Sequence, residues 1–215
     1  MTPDRQDQGR FITLEGIEGA GKSSCLGVLE AEIARHGHSL VRTREPGGTP
    51  LGEELRQVLL GHRHDGMADD TELLLMFAAR CEHLRAVIEP ALRAGRWVVC
   101  DRFTDATFAY QGFGRGLALE RIEQLQRWVQ GERRPDLTIL LDLPVAVGLE
   151  RASKRSAPDR FERQQADFFE RVREGYLALA DRDPERFAVI DAAQSLDRVS
   201  ADVRRALNDR LESRA

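Results

Sequence analysis

The chain has 215 residues, 41% of them hydrophobic and 32% charged, a size that buries one α/β core and is short for two. Its formal net charge of −4 argues against a general nucleic-acid binder, which needs a basic face to release counterions, but allows a local basic pocket for a phosphorylated small molecule. No apolar stretch approaches membrane-spanning length, and Cys25, Cys81 and Cys100 form no C-x-x-C pair, so free thiols in a cytoplasmic protein are expected, with no disulfide frame or zinc site.

Residues 1–10 are polar, lack a signal core and read as a disordered, dispensable tail; 11–215 read as one domain. Phe11 to Leu14 is an apolar run that predicts a strand, and the spacing of Leu26, Leu29 and Ile33 predicts a helix over Ser23 to Arg35. Further strands are expected at Leu40 to Thr43, Trp97 to Cys100, Leu137 to Leu141 and Phe187 to Ile190. Helices are expected at Gly52 to Leu60, Asp70 to Ala94, Leu119 to Gln130, Val145 to Ser153, Phe161 to Asp181 and Leu196 to Leu211, with Pro90 bending or restarting the long one. His36, His38, His62 and His64 fall in polar, Gly-containing stretches and read as solvated loop residues. The alternation predicts a five-stranded parallel sheet with helices on both faces, whose ligands bind beyond the carboxyl ends of the strands.

That edge collects the chemistry. Gly16-Ile17-Glu18-Gly19-Ala20-Gly21-Lys22-Ser23 is a complete G-x-x-x-x-G-K-S phosphate loop between the first strand and the first helix. Its glycines let successive N–H groups turn around an anion at the positive end of the helix dipole. Lys22 supplies a charge for the β- and γ-phosphates, and the Ser23 hydroxyl a magnesium ligand. ATP and Mg²⁺ are therefore expected. Asp101 ends the third strand, where P-loop enzymes keep the carboxylate that holds magnesium directly or through water. The next residue is Arg102, a cation that holds an anionic acceptor and cannot activate water, which favours phosphoryl transfer over hydrolysis. An acceptor phosphate monoester is largely dianionic at neutral pH and needs no base. Arg44, Arg56, Arg80, Arg102, Lys154, Arg155 and Arg160 lie on or next to the candidate loops to neutralise the two polyanions.

Five segments together carry a family resemblance: Glu15 to Ser23, Thr43-Arg-Glu-Pro-Gly-Gly-Thr49, Leu74-Leu-Met-Phe-Ala-Ala-Arg80, Asp101-Arg-Phe-Thr-Asp-Ala-Thr-Phe-Ala-Tyr-Gln-Gly112 and Arg134-Pro-Asp-Leu-Thr138. In this order the chain resembles the bacterial thymidylate kinases from about Phe11 to its last helix. The resemblance implies the nucleoside monophosphate kinase fold, ATP and Mg²⁺ as donor, thymidine monophosphate as acceptor, a homodimer, and neither nucleic-acid nor membrane partners. It implies that Glu18 lies near the deoxyribose 3′-hydroxyl and that Glu45 and Pro46 border the nucleotide. Arg56, Arg80 and Arg102 are implied at the base edge or phosphate, Thr107 and Gln111 at the thymine, and Tyr110 against C2′, where a ring leaves no room for a ribose hydroxyl. The thymine-stacking position falls on Met76, with Phe77 beside it. Both share a helical face with Arg80, and Phe77 is preferred for its flat ring. The P-loop lacks the internal basic residue of some members, so the cation at the transferring phosphate is expected from a lid at about 151–160, with Arg155 and Arg160 as the catalytic candidates and Arg151 over the adenine. A kinase for another mononucleotide or a deoxynucleoside is the competing enzyme class. A GTP switch is disfavoured by the missing Asn-Lys-x-Asp motif.

Overall fold

A computed structural model describes residues 9–61, 66–154, 160–161 and 164–212. His62, His64, Arg155 and the tail before Gly9 fall outside the described residues. Strands β1 (Phe11–Glu15), β2 (Leu40–Arg44), β3 (Trp97–Asp101), β4 (Leu137–Asp142) and β5 (Phe187–Asp191) form a parallel sheet of order β2-β3-β1-β4-β5.

Central β1 is buried at all five positions, Thr13 and Glu15 included, as a strand covered on both faces requires. Its alternating side chains divide between two cores. Ile12 and Leu14 join Leu29 and Ile33 of α1 (Lys22–Arg35), whereas Phe11 joins Phe103 and the helical residues Leu84 and Ile88. Between β1 and β4 the buried hydroxyls of Thr13 and Thr138 add a 2.9 Å side-chain hydrogen bond to the backbone ladder.

Helix α2 (Pro50–Leu60) starts two residues before the expected Gly52, because the Thr49 side chain accepts from Gly52 N–H at 2.9 Å and Pro50 suits the first turn. The expected Asp70 to Ala94 helix is α3 (Asp69–His83), a π-helical turn Leu84–Ile88 and α4 (Glu89–Arg93). Pro90 lies in the first turn of α4, where its missing N–H costs nothing.

After β3 the chain forms α5 (Thr104–Thr107) and a π-helical segment Phe108–Gly114, which sequence pattern did not predict. Its glycines are the reason it was missed and the reason it packs. A Cβ on Gly112 would meet Leu119 at 2.6 Å, and one on Gly114 would meet Phe168 at 2.7 Å. The segment thereby sits tightly between α6 (Leu119–Gln130) and α8 (Ala166–Arg182) and carries both Tyr110 and Gln111. Helix α7 (Val145–Ser153) spans its expected range, and α9 (Leu196–Glu212) closes the described chain. The expected helix start at Phe161 is corrected to Ala166: Phe161 is a turn residue that lines a cleft.

His36 and His38 are not merely solvated. His36 Nε2 lies 2.9 Å from Asn208 Oδ1, and His38 stacks on Trp97 at 4.7 Å.

Candidate active site

The phosphate loop joins β1 to α1 over Gly16 to Gly21, with positive φ at Gly16, Gly19 and Gly21. Gly19 is required twice over: its φ is +75°, and a Cβ there would fall 1.9 Å from the Gly148 carbonyl of α7. The loop is thus seated on the helix that leads into the expected lid. Lys22 Nζ is buried and donates to the Gly16 and Ile17 carbonyls at 2.8 and 3.0 Å. Burial, reinforced by the charge of Arg102, lowers its pKa to about 8. Ile17 and Ala20 are buried and Ser23 is exposed at the loop's end.

Every predicted acceptor residue except Phe77 lines one cleft, which holds about 580 Å³ including its open mouth. Three groups join the loop to this cleft. Glu18 accepts from Arg102 Nη2 at 2.7 Å and from the Tyr110 hydroxyl at 2.7 Å, and Arg102 Nη2 also donates to the Tyr110 oxygen at 3.0 Å. Burial pushes the Tyr110 phenol well up, so it remains a donor. Arg102 is held at φ +65°. Its N–H donates to Leu14 C=O at 3.0 Å, and the next N–H, of Phe103, donates to buried Glu15 at 2.7 Å. Burial, then the charge of Asp105, raises the Glu15 pKa to about 8 against the hydrogen bonds from Tyr176 and Phe103.

At the inner end Arg80 is 2% exposed. It donates from Nε to Glu45 at 2.7 Å and from Nη2 to Thr107 Oγ1 at 2.9 Å and Phe103 C=O at 3.2 Å, while Nη1 has no partner among the described residues. Glu45 is itself bridged through His83 to Thr43, at 2.9 and 2.6 Å. Arg56 donates to Pro46 C=O at 2.9 Å, and its pKa is lowered by burial and then by Arg44 and Arg102. Arg102 therefore repels both Lys22 and Arg56, a cost that an anion between them reduces.

Two assignments are corrected. Phe77 is buried with Leu73, Phe108 and Ile122, its ring 4.8 Å beneath the Arg80 guanidinium, and it is Met76 that lines the cleft. Met76 and Phe77 are consecutive on α3 and point about 100° apart around its axis, so i−4 from Arg80 meets the cleft and i−3 meets the core. Arg160 is not free to reach a transferring phosphate, because its guanidinium is buried against Glu72 and donates from Nε to Leu59 C=O at 2.8 Å. Arg151 donates to the Ala192 carbonyl beyond β5 at 2.8 Å, and exposed Lys154 pairs with Glu150. Sequence reasoning also missed Leu60, Phe103, Ala106 and Phe161 as lining residues. It gave no role to the buried carboxylates Glu15 and Glu72, which a single sequence does not distinguish from surface acids.

A parallel sheet with a P-loop after its first strand, a carboxylate and an arginine after its third and a cation-lined acceptor cleft beside them define a P-loop nucleoside monophosphate kinase. The thymidylate kinase family profile matches residues 14–203. The thymidylate kinase of Alkalilimnicola ehrlichii is 59% identical over 201 residues, 93% of this chain and 93% of that one. That of Pseudomonas putida strain F1 is 58% identical over 195 residues, 91% of this chain and 93% of its own. The crystal structure of thymidylate kinase from Ehrlichia chaffeensis superposes with a TM-score of 0.74 at 34% identity, covering 93% of this chain and 99% of that one. The chain belongs to the thymidylate kinase family, phosphotransferases that phosphorylate dTMP with ATP on the way to dTTP.

The depressed Lys22 pKa makes a prediction for nucleotide binding. A polyphosphate favours charged lysine, so binding ATP near pH 8 takes up about half a proton, and affinity falls as pH rises past 8. Calorimetry in buffers of differing ionisation enthalpy measures the uptake. It disappears in Lys22→Met, and its absence from the native protein would refute the assignment.

Proposed function

We propose that the chain transfers the γ-phosphoryl group of ATP to the 5′-phosphate of dTMP, with the residues around the cleft in the following roles. The observation that carries this reading is that the phosphate loop and the acceptor cleft meet at one triangle, Glu18, Arg102 and Tyr110. Arg102 spans the gap between donor and acceptor phosphates, and Arg56 holds the acceptor phosphate from the other side. The acceptor dianion attacks without a base, so rate comes from alignment and from cations aimed at the charge on the transferring group. Lys22 serves the β- and γ-phosphates. Tyr110 lies against C2′ and Glu18 near the 3′-hydroxyl. Met76 covers the thymine in place of Phe77, and Arg80, Thr107 and Gln111 meet its polar edge.

Magnesium fits the residues present. Asp101 Oδ1 is buried without a partner among the described residues, and no cluster of three His, Cys, Asp or Glu side chains competes for a metal there. Mg²⁺ is commonly held by one or two protein oxygens with waters and substrate phosphates. Asp101, directly or through water, and Ser23 would hold it, and the ion would neutralise charge on the phosphates. With Arg160 engaged by Glu72, Arg155 is the lid cation assigned to the transferring group, and Arg151 the residue over the adenine. Three free cysteines and the absence of a membrane-spanning helix among the described residues fit a cytoplasmic enzyme.

The experiment is ADP production with ATP and Mg²⁺ in the presence of dTMP, UMP, thymidine or no acceptor. Turnover is expected with dTMP, at least about a hundredfold above UMP and thymidine. Equal turnover of UMP, or hydrolysis without acceptor, would contradict the cleft assignment.

We infer that the implied homodimer uses α3 and α6 as its interface. Trp128 is 82% exposed and Leu74 56%, and with Leu125 they form an apolar patch flanked by the Asp70–Arg121 ion pair. Sedimentation is expected to give a dimer that Trp128→Glu converts to a folded monomer. A native monomer, or a dimer in the variant, would refute this placement.

A further inference from the structure

Glu72 of α3 is fully buried and does not line the cleft, yet it gathers donors from two distant segments, the Phe108–Gly114 stretch with its cap Arg115, and the turn at Arg160. Its Oε1 accepts from Gln111 Nε2 at 2.8 Å and from Arg115 Nε at 3.4 Å, and its Oε2 accepts from Arg115 Nη2 at 3.3 Å and from Arg160 Nη2. A carboxylate offers acceptors only, so the atom that Gln111 turns toward it must be the amide nitrogen. The amide oxygen is then directed elsewhere. Gln111 lines the cleft, and no described residue donates to its Oε1. The same cleft is lined by Arg80, whose Nη1 is a buried donor without a partner among the described residues.

An acceptor and a donor in one cleft complement a pyrimidine that donates at N3 and accepts at the adjacent exocyclic oxygen. Cytosine presents the reverse pattern. An unrestrained glutamine would flip its amide and read either base, whereas one tied to a carboxylate reads one. We propose that Glu72 is a specificity-determining positioning residue: by fixing the Gln111 amide it makes the cleft accept thymine-type bases and reject cytosine. Arg115 and Arg160 occupy its other lone pairs and hold the carboxylate in place. This rests on the reading of the cleft as the dTMP site.

The test is kcat/KM for dTMP and dCMP in the native enzyme and in Glu72→Gln, whose amide no longer dictates the orientation of Gln111. The dTMP-to-dCMP ratio is expected to fall by roughly tenfold or more, with dCMP gaining in absolute terms. A parallel loss for both substrates at constant ratio, as a purely structural role would give, overturns the proposal. Native enzyme without preference for dTMP over dCMP overturns the underlying cleft assignment instead. A second measurement needs no variant to fold beyond one used for assignment. In ¹⁵N spectra of the native protein the Gln111 side-chain amide protons, assigned by their loss in Gln111→Leu, are expected to be protected from exchange with solvent with and without dTMP. Protons that exchange as fast as those of an exposed glutamine in both states would overturn the proposal.

Discussion

Arg102 occupies the left-handed region at φ +65°, a conformation that costs a residue with a side chain on the order of 1–3 kcal/mol. The fold holds it there from both sides. Its own N–H is taken by Leu14 of β1, the next N–H by Glu15, and its guanidinium by Glu18 and Tyr110. Because Leu14, Glu15 and Glu18 all belong to the β1 end and the phosphate loop, the loop that grips the donor also sets the residue that faces the acceptor. A two-site reaction with no covalent step depends on this registration, since the protein contributes position and charge.

The buried ion pairs around the cleft are better understood as orientation than as stability. Desolvating Arg80 and Glu45, or Arg160 and Glu72, cancels much of the attraction between them, and well-packed apolar residues would often serve stability as well. What apolar residues do not do is leave one buried donor of Arg80 unpaired among the described residues while its other nitrogens are fixed. Phe77 has its part here. Turned into the core while Met76 lines the cleft, it supports the Arg80 guanidinium from beneath, across a contact of 4.8 Å.

The middle of the sheet was legible because β1, β3 and β4 are short, mainly apolar runs buried on both faces, and the phosphate loop because its glycines, lysine and serine follow such a run directly. The strand end after β3, beside a phosphate loop, pointed to Asp101 and Arg102, whereas Glu18 came with the loop motif and its place at the sugar with the family resemblance. Less was legible where tertiary contact decides. The helical path of Phe108–Gly114 depends on close packing that Gly112 and Gly114 permit, while glycine in isolation argues against a helix. The choice between Met76 and Phe77 turns on which neighbour lies against one face of α3, and the burial of Arg160 on a carboxylate 88 positions away in the chain. No local pattern carries either.

The reading of the site turns on Arg102, which, fixed by the phosphate loop, is inferred to act on the transferring group in addition to holding the acceptor. Its direct test is Arg102→Met, comparing kcat with dTMP against the dissociation constant for ATP. The account predicts a fall in kcat of about a hundredfold or more, with ATP affinity changed less than about threefold. An unchanged kcat with only a raised KM for dTMP would contradict it, and would make Arg102 an anchor for the acceptor alone.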